Sequence, residues 1–394
     1  MTRSTEVAPI DDLAGRNRGI DALRGVSILL VLLHHTGIRI PLAKTLLGDV
    51  FPKWLLDGLN WNGAEGVIAF FMISGFLITR RTQLRWGGLR ELSLRGFYWF
   101  RATRILPVLL LVVALLSLFH LLGVPRYVIE RPGQSLPGAI WAAVGFHINW
   151  YEGQTGYLPG GWNVMWSLAV EEVFYLGFPV VCLTLGRTRL FIPALVLLAL
   201  SHPFTRAALA QLHNEIWYEE AYLPGMASIA TGVLAACLAR RVAIVDRKLA
   251  AIIALAGVTG LCAVLFAGRS IWALLHEGYG LWLNLSAACI VLGAHWLEAS
   301  GFRLRGIGWL CSFGRLSYEI YLFHMFCIFG VIDIANAVGL PPRYGFVWYV
   351  PAVFFSWLLG YAVARFYSEP CERSLRGTSR RPIATHTEPA AEAS

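Results

Sequence analysis

Residues 19–37 read GIDALRGVSILLVLLHHTG, an apolar stretch with an arginine near its start and two histidines near its end. A helix needs about 20 residues to cross the roughly 30 Å hydrocarbon core of a bilayer, and this stretch is nearly that long. Comparable stretches recur along the chain, which is 57% apolar and only 14% charged. The sequence therefore predicts an all-α, polytopic membrane helix bundle.

About ten transmembrane helices are predicted, with both termini in the cytosol. The loops after the second, fourth, sixth and eighth spans hold most of the loop arginines, which the positive-inside rule places in the cytosol. Segment 134–150 is apolar but short, so we interpret it as an interfacial or re-entrant external piece, with a spanning segment as the alternative. The predicted spans are 20–38, 63–79, 97–122, 163–186, 190–204, 222–239, 249–267, 279–297, 309–330 and 345–366.

The spans divide the chain into three parts. Residues 1–19 form a cytosolic tail, 20–366 the transmembrane domain, and 367–394 a cytosolic, mostly disordered tail. The net charge of +9 lies in short loops between spans, which excludes a nucleic-acid partner and leaves the lipid bilayer. No Cys or His spacing of the metal-binding kind is present, so we expect neither disulfides nor a metal.

The first span carries a cation and an imidazole on one helix face. Eleven residues separate Arg24 from His35, which returns to the same face after three turns, roughly 16 Å deeper. His34 points about 80° away. Ionisable groups inside membrane helices are rare, so we assign a function to His35 and leave His34 open between function and structure.

Three further groups of polar residues lie in the apolar spans. Arg101 and Arg104 share a face at a membrane boundary, where they either bind phosphates or set topology. Ser74 and Gly75 provide close helix packing or a site near a ligand. Glu171 and Glu172 lie on different faces, so at most one faces the same cavity, and a salt bridge to an arginine is the alternative for each.

The motifs together resemble the acyltransferase-3 family of integral membrane acyltransferases, which O-acylate bacterial surface glycans and some macrolides. The similarity covers roughly residues 18–375 and is carried by DALRG, the Arg24/His35 spacing, FFMISGF, the Arg101/Arg104 pair, WSLAVEEVFYL, SYEIYLFH and SEPCER, in that order. The resemblance implies a multi-pass protein of the bacterial inner membrane. It also implies that the membrane domain meets the acceptor itself, because the chain ends soon after the last span.

Several residue roles follow from this resemblance. The family implies that His35 is the essential catalytic histidine. Apart from the resemblance, an imidazole can act as general base or be transiently acylated, and we expect Glu171 or Glu172 to orient it. Arg24, Arg101 and Arg104 handle an acyl-CoA donor, most simply acetyl-CoA, and Ser74, Gly75 and Phe76 form part of the donor pore. In SYEIYLFH, core hydrogen bonding is our interpretation of Ser317, Tyr318, Glu319 and His324.

The predicted acceptor is a hydroxyl of a carbohydrate or glycolipid, such as a surface polysaccharide or lipopolysaccharide. Aromatic side chains of the predicted outer surface suit sugar stacking, although such residues also belt any membrane protein: Trp54, Trp61, Trp150, Tyr151, Tyr157, Trp162, Trp217 and Tyr218. Alternatives are a macrolide O-acyltransferase of the same family, a transporter with a buried His/Glu relay, and a glycosyltransferase. No inverted repeat supports the transporter, and no Asp-x-Asp motif the glycosyltransferase. The oligomeric state is not predicted.

Overall fold

The computed structural model describes residues 16–243 and 245–377, and the regular structure in these ranges is helical. The α-helices are α1 (Arg18–Gly37), α2 (Leu47–Val50), α3 (Lys53–Asn60), α4 (Gly63–Trp86), α5 (Leu94–Leu121), α6 (Leu136–Val144), α7 (Ile148–Thr155), α8 (Met165–Leu185), α9 (Phe191–Leu200), α10 (His202–Ala210), α11 (Glu215–Glu220), α12 (Tyr222–Arg241), α13 (Arg247–Leu275), α14 (Tyr279–Ala299), α15 (Gly308–Arg315), α16 (Ser317–Val338), α17 (Tyr349–Val363) and α18 (Glu369–Gly377). Short 3-10 turns cover Leu42–Lys44, His276–Gly278 and Pro342–Trp348, and a π-helical turn covers Ala364–Ser368. The predicted all-α membrane fold is confirmed.

Within the described residues, eight helical stretches are long and apolar enough to cross a membrane. They are Gly63–Trp86, Leu94–Leu121, Met165–Leu185, Phe191–Ala210, Glu215–Arg241, Arg247–Ala299, Ser317–Val338 and Pro342–Gly377. The longest of them contains two helices, α13 and α14, which pack against each other. Helix α1 is not among the eight, and its 20 residues include Arg18, Asp21 and Arg24. The number of crossings and the side of the termini therefore stay predictions.

Helix α1 lies at the centre of the bundle. It begins at Asn17, whose side chain accepts a hydrogen bond from the Ile20 N–H and so caps the helix. From there it packs against α4, α14, α15, α16 and α17. Glycines allow the closest approaches: a Cβ on Gly66 of α4 would lie 2.7 Å from the Ser27 carbonyl oxygen. Side chains on α1 are thus held within reach of several other helices.

The predicted span at 309–330 is wrong as a single helix, because the chain breaks at Leu316 between α15 and α16. Helix α15 lies against α1 with almost no side chain between the backbones. A Cβ added to Gly25 would overlap the Leu310 carbonyl, and one on Gly314 would overlap the Asp21 carbonyl. This close contact holds α15 in place and starts α16 at Ser317.

The tail predicted to be mostly disordered is helical over Glu369–Gly377. Arg373 pairs with Glu369 at 2.6 Å, and Arg376 pairs with Glu372 at 2.5 Å, both with the i,i+4 spacing that supports a helix. The Arg376 guanidinium also lies 5.0 Å over the Phe100 ring, which attaches α18 to α5. The rest of both predicted tails, 1–15 and 378–394, lies outside the described residues.

Segment 134–150 covers α6 and the start of α7, and these helices have 9 and 8 residues. At about 1.5 Å per residue, neither helix can cross the hydrocarbon core alone. This agrees with an interfacial or re-entrant piece.

Candidate functional site

A cavity that is partly open to its surroundings lies between α1, α4, α5, α8 and α16. It lies toward the Arg24 end of α1, the end that the loop charges place in the cytosol. Its polar lining residues are Arg24, Ser74, Arg81, Arg101, Arg104, Ser167, Glu171, Tyr175, Ser317, Tyr318 and Tyr321. Four arginines against one glutamate give this lining a net positive charge, which suits an anionic ligand.

Arg24 is held at the cavity by the start of α16. Its guanidinium donates a hydrogen bond of 2.8 Å to the Ser317 hydroxyl, and Ser317 is buried. Because the helix break at Leu316 sets where Ser317 lies, it also orients Arg24.

Arg101 and Arg104, predicted to act as a pair, line the same cavity but have different partners. Arg101 forms an ion pair with Glu172, and its guanidinium carbon lies 4.0 Å over the Tyr175 ring. Arg104 has no hydrogen bond or ion pair within the described parts of the chain. Arg101 is therefore partly neutralised, whereas Arg104 can bind a ligand without first breaking a salt bridge.

The two adjacent glutamates face different surroundings, as their helix positions predict. Glu171 lines the cavity, lies 4.0 Å from the Arg101 guanidinium and accepts a hydrogen bond from Ser74, whose hydroxyl is also 2.6 Å from that of Tyr175. Glu172 is paired with Arg101 and is not among the lining residues. Across 16–243 and 245–377, neither carboxylate forms a hydrogen bond or ion pair with His35.

The predicted pore segment Ser74–Gly75–Phe76 divides between the cavity and the helix packing. Ser74 lines the cavity. A Cβ on Gly75 would overlap the Ile229 carbonyl of α12, and Phe76 is 2% exposed with its ring 6.0 Å from that of His295. Gly75 and Phe76 therefore hold α4 against its neighbours, as in the packing alternative.

His35 lies beyond the cavity, in a row of rings that leads back to it. The ring centroid of His35 is 5.3 Å from that of His34 and 5.1 Å from that of His324. The next ring is Tyr321, 5.8 Å from His324, and its hydroxyl is bonded to Ser167 at 2.9 Å. Since Tyr321 and Ser167 both line the cavity, this hydroxyl pair lies at the border between the arginines and the histidines.

Sequence reasoning did not assign Arg81, Tyr175, Tyr321 or His324 to a site. The available signal was spacing on α16: residues 317, 321 and 324 follow one another at intervals of four and three, which is one helix face. Core hydrogen bonding was a correct description for part of this motif, because Ser368 donates to Glu319 at 2.9 Å.

The predicted outer aromatic surface contains one error. Trp162 is fully buried in the cluster formed by α5, α8 and α16 and cannot contact a ligand at the surface. Trp54, Trp61 and Trp150 are 57%, 46% and 56% exposed. Trp61 packs against His34 with ring centroids 6.1 Å apart, and so is the exposed aromatic residue that connects to the histidine row.

Two buried carboxyl groups share one amide near the predicted outer side. The Asn163 amide donates to Glu152 at 3.0 Å and to Glu220 at 2.8 Å, and Glu152 also accepts from the Leu158 N–H. Burial raises the pKa of Glu152 to about 7, against the opposing effect of these two hydrogen bonds. In the described residues, no group of three or more His, Cys, Asp or Glu side chains is arranged to hold a metal.

Comparison with known proteins identifies the family of this chain. A family model described as an acyltransferase domain matches residues 17–365, and the chain belongs to this family, the acyltransferase-3 family. The predicted class of enzyme, an acyltransferase in a multi-pass membrane protein, is thereby confirmed.

The curated relatives resemble one part of the chain. A Staphylococcus aureus (strain COL) protein named "Putative O-acetyltransferase" is 28% identical over 172 residues, which is 42% of this chain and 25% of the relative. The O-acetyltransferase OatA of Staphylococcus aureus (strain NCTC 8325 / PS 47) is 26% identical over 166 residues, 41% of this chain and 24% of the relative. The match thus spans about a quarter of the length of these relatives. No solved structure matches.

Proposed function

We propose that the protein transfers an acyl group, in the simplest case acetyl, from cytosolic acyl-CoA to a hydroxyl of a carbohydrate or glycolipid at the bacterial inner membrane. The observation that carries this proposal is the cavity lined by Arg24, Arg81, Arg101 and Arg104 beside a row of histidines. The family supports acyl transfer, and the names of the relatives support oxygen as the acceptor atom and acetyl as the acyl group.

The arginines suit the donor because coenzyme A carries phosphates. A guanidinium binds phosphate oxygens through two parallel hydrogen bonds, and a partly enclosed site strengthens that attraction. Arg24 and Arg104 lie closest to this role, since Arg104 has no hydrogen bond or ion pair in the described residues and Arg24 is hydrogen-bonded to the neutral Ser317. Glu171 provides the one carboxylate of the lining, and leaves its net charge positive.

The phosphates and the thioester are then bound in different places. The phosphates stay with the arginines, and the acyl end extends past Tyr321 and Ser167 toward His35. His35 either takes the proton of the acceptor hydroxyl or is itself transiently acylated. In both routes the acyl carbon exchanges its bond to sulfur for a bond to the hydroxyl oxygen, and the coenzyme A thiol gains one proton in place of the one that the hydroxyl loses.

Trp61 provides a surface to which the acceptor can bind. Its ring is half exposed and packs on His34. A flat apolar surface therefore lies against the residue that precedes His35 on α1. Sugar rings stack on such surfaces while their hydroxyls stay free to react. A carbohydrate bound there would present a hydroxyl to the histidine row from the side opposite the arginines.

A comparison of two donors tests the proposal. Purified protein should bind acetyl-CoA at least tenfold more tightly than acetylpantetheine, which has the same thioester but lacks the nucleotide. Mass spectrometry of surface glycans should then find acetyl esters in cells that carry the protein, and lose them in cells that carry His35→Ala. Equal binding of the two donors would overturn the arginine assignment, and unchanged glycans would overturn the acceptor class.

A further inference from the structure

His324 lies in the middle of α16 and is completely buried. Its Nδ1 atom is 2.6 Å from the Tyr321 carbonyl oxygen. A carbonyl oxygen only accepts hydrogen bonds, so Nδ1 must carry the proton and donate. In the neutral ring this leaves Nε2 as the unprotonated nitrogen with a free lone pair.

That lone pair has no partner in the described part of the protein. Nε2 of His324 is buried and makes no hydrogen bond there. Buried polar atoms are nearly always paired, because leaving one unpaired costs about 1–3 kcal/mol. The unpaired Nε2 atom next to His35 therefore indicates that a ligand supplies the missing hydrogen-bond donor.

The surroundings of His324 show which ligand it meets. Its ring lies 5.1 Å from that of His35 and 5.8 Å from that of Tyr321, so it stands between the proposed acylation site and the border of the cavity. The donor brings a thioester to this place, and a thioester has no hydrogen to donate. The acceptor brings an O–H group, which fits a lone pair.

We propose that Nε2 of His324 binds the acceptor hydroxyl and takes its proton, so that His324 is a second catalytic histidine. This inference rests on the proposed acyl transfer and adds a role that the transfer alone does not assign. When the hydroxyl oxygen attacks the acyl carbon, its O–H bond breaks and the proton moves to Nε2. The bond between the acyl carbon and the atom that carried the acyl group then breaks, and this atom receives the proton from His324.

If His324 is the general base, the role that remains for His35 is to carry the acyl group. In the first step the acyl carbon leaves the sulfur of coenzyme A for a ring nitrogen of His35. In the second step it leaves this nitrogen for the hydroxyl oxygen of the acceptor. The proton that the His35 ring gives to the thiolate in the first step is returned through His324 in the second. Protons and bonds therefore balance over the two steps.

The amides of Asn and Gln separate this role from packing. In His324→Asn, the side-chain N–H₂ can still donate to the Tyr321 carbonyl, but no group remains at the Nε2 position. In His324→Gln, an amide reaches the Nε2 position without a basic nitrogen. A matched control is His202→Asn, because His202 is also buried with an unpartnered ring nitrogen but packs against Gly280, on α14 rather than on the histidine row.

The experiment measures alkali-released acetate from the surface glycans of cells that carry each variant, and acetyl-CoA binding to the purified proteins. Both His324 variants should lose about 100-fold or more of the acetate while binding acetyl-CoA within about twofold of the wild type. His202→Asn should stay near wild type in both measurements. Gel filtration identifies any variant that misfolds, and the remaining His324 variant then decides the outcome.

Acetate near the wild-type level in a folded His324→Asn or His324→Gln protein would overturn the inference and leave His324 a packing residue. Absence of acetate in the wild type would instead overturn the proposed function itself. The two failures are therefore distinguishable.

Discussion

The rings of His34 and His35 pack edge to face, 5.3 Å apart, yet the two residues have different neighbours. His34 is fixed from the outer side, with its Nδ1 atom 3.1 Å from the Asn60 carbonyl oxygen and its ring against Gly63. His35 alone continues to His324. Adjacent in sequence, they are thus a positioning residue and a candidate catalytic residue.

This difference predicts unequal effects of alanine substitution. His35→Ala should abolish acyl transfer, because the general base or acyl carrier is lost, whereas His34→Ala should retain a substantial fraction. Acetyl-CoA binding to purified His35→Ala should stay near wild type, which would place the defect in chemistry. Equal loss in both variants would show that the packed pair, and not one imidazole, is what the site needs.

The donor site predicts a binding defect that separates the two arginines of α5. Arg104→Lys should raise the dissociation constant of acetyl-CoA about tenfold, because a lysine replaces two parallel hydrogen bonds by a point charge. Arg101→Lys should weaken binding too, and should also destabilise the protein by disturbing the pair with Glu172. Isothermal titration and thermal unfolding measure the two effects.

The control for these variants is Arg126→Lys, since Arg126 lies outside the cavity and pairs with Asp333 at 2.8 Å. Its acetyl-CoA affinity should not change. An unchanged affinity in Arg104→Lys would reduce that residue to a topological anchor.

Glu152 predicts a pH dependence of stability. Its pKa is raised from the ordinary 4.5 to about 7, so the folded protein keeps a proton that the unfolded chain releases between these values. The contribution of Glu152 to the free energy of unfolding is greatest below about pH 4.5 and falls by on the order of 3 kcal/mol as the pH rises to 7. Thermal unfolding in detergent from pH 5 to 8 should show this fall, and Glu152→Gln should reduce it, with the part that remains coming from Glu220, whose pKa burial also raises.

Glu215→Gln is the matched control, because Glu215 is exposed on the neighbouring helix α11. It should keep the wild-type slope. A wild-type melting temperature that rises over this pH range would contradict the raised pKa of Glu152.

The predicted topology is open to cysteine labelling with a reagent that does not cross the membrane. A cysteine at Gln154 should react from outside, and one at Arg90 should react only after the membrane is opened. Both positions are exposed, whereas Gly88 in the same loop is buried and unsuitable. Cys262 is exposed and should be replaced first. The reverse labelling pattern would show that the bundle has the opposite orientation, with the arginine cavity outside.

The fold was predictable because each membrane helix satisfies its own backbone hydrogen bonds, so length and composition reveal it. What could not be predicted depends on contacts between distant segments. The break at Leu316 follows from the approach of Gly25 and Gly314, almost 290 positions apart in the chain. The helix at 369–377 likewise depends on Phe100, which no local pattern connects to Arg376.

For the candidate site, the family resemblance grouped Arg24, Arg101, Arg104 and Ser74 around the donor, and the structure brings these four to one cavity together with Glu171. Their roles stay predictions. Spacing could not show that Glu172 would neutralise Arg101 or that the cavity would end at Tyr321, because both depend on which faces of α5, α8 and α16 meet. His324 went unassigned because one apolar helix face does not reveal an unpaired nitrogen.

The Ser167 and Tyr321 hydroxyls, bonded to each other at 2.9 Å, have a consequence for the cell's energy balance. In the proposed reaction, the nucleotide never leaves its own side, and the arm that passes this point enters as a thioester and returns as a thiol, both of them neutral. A neutral fragment moves no charge through the membrane potential, so the transfer draws nothing from the ion gradients that power the cell.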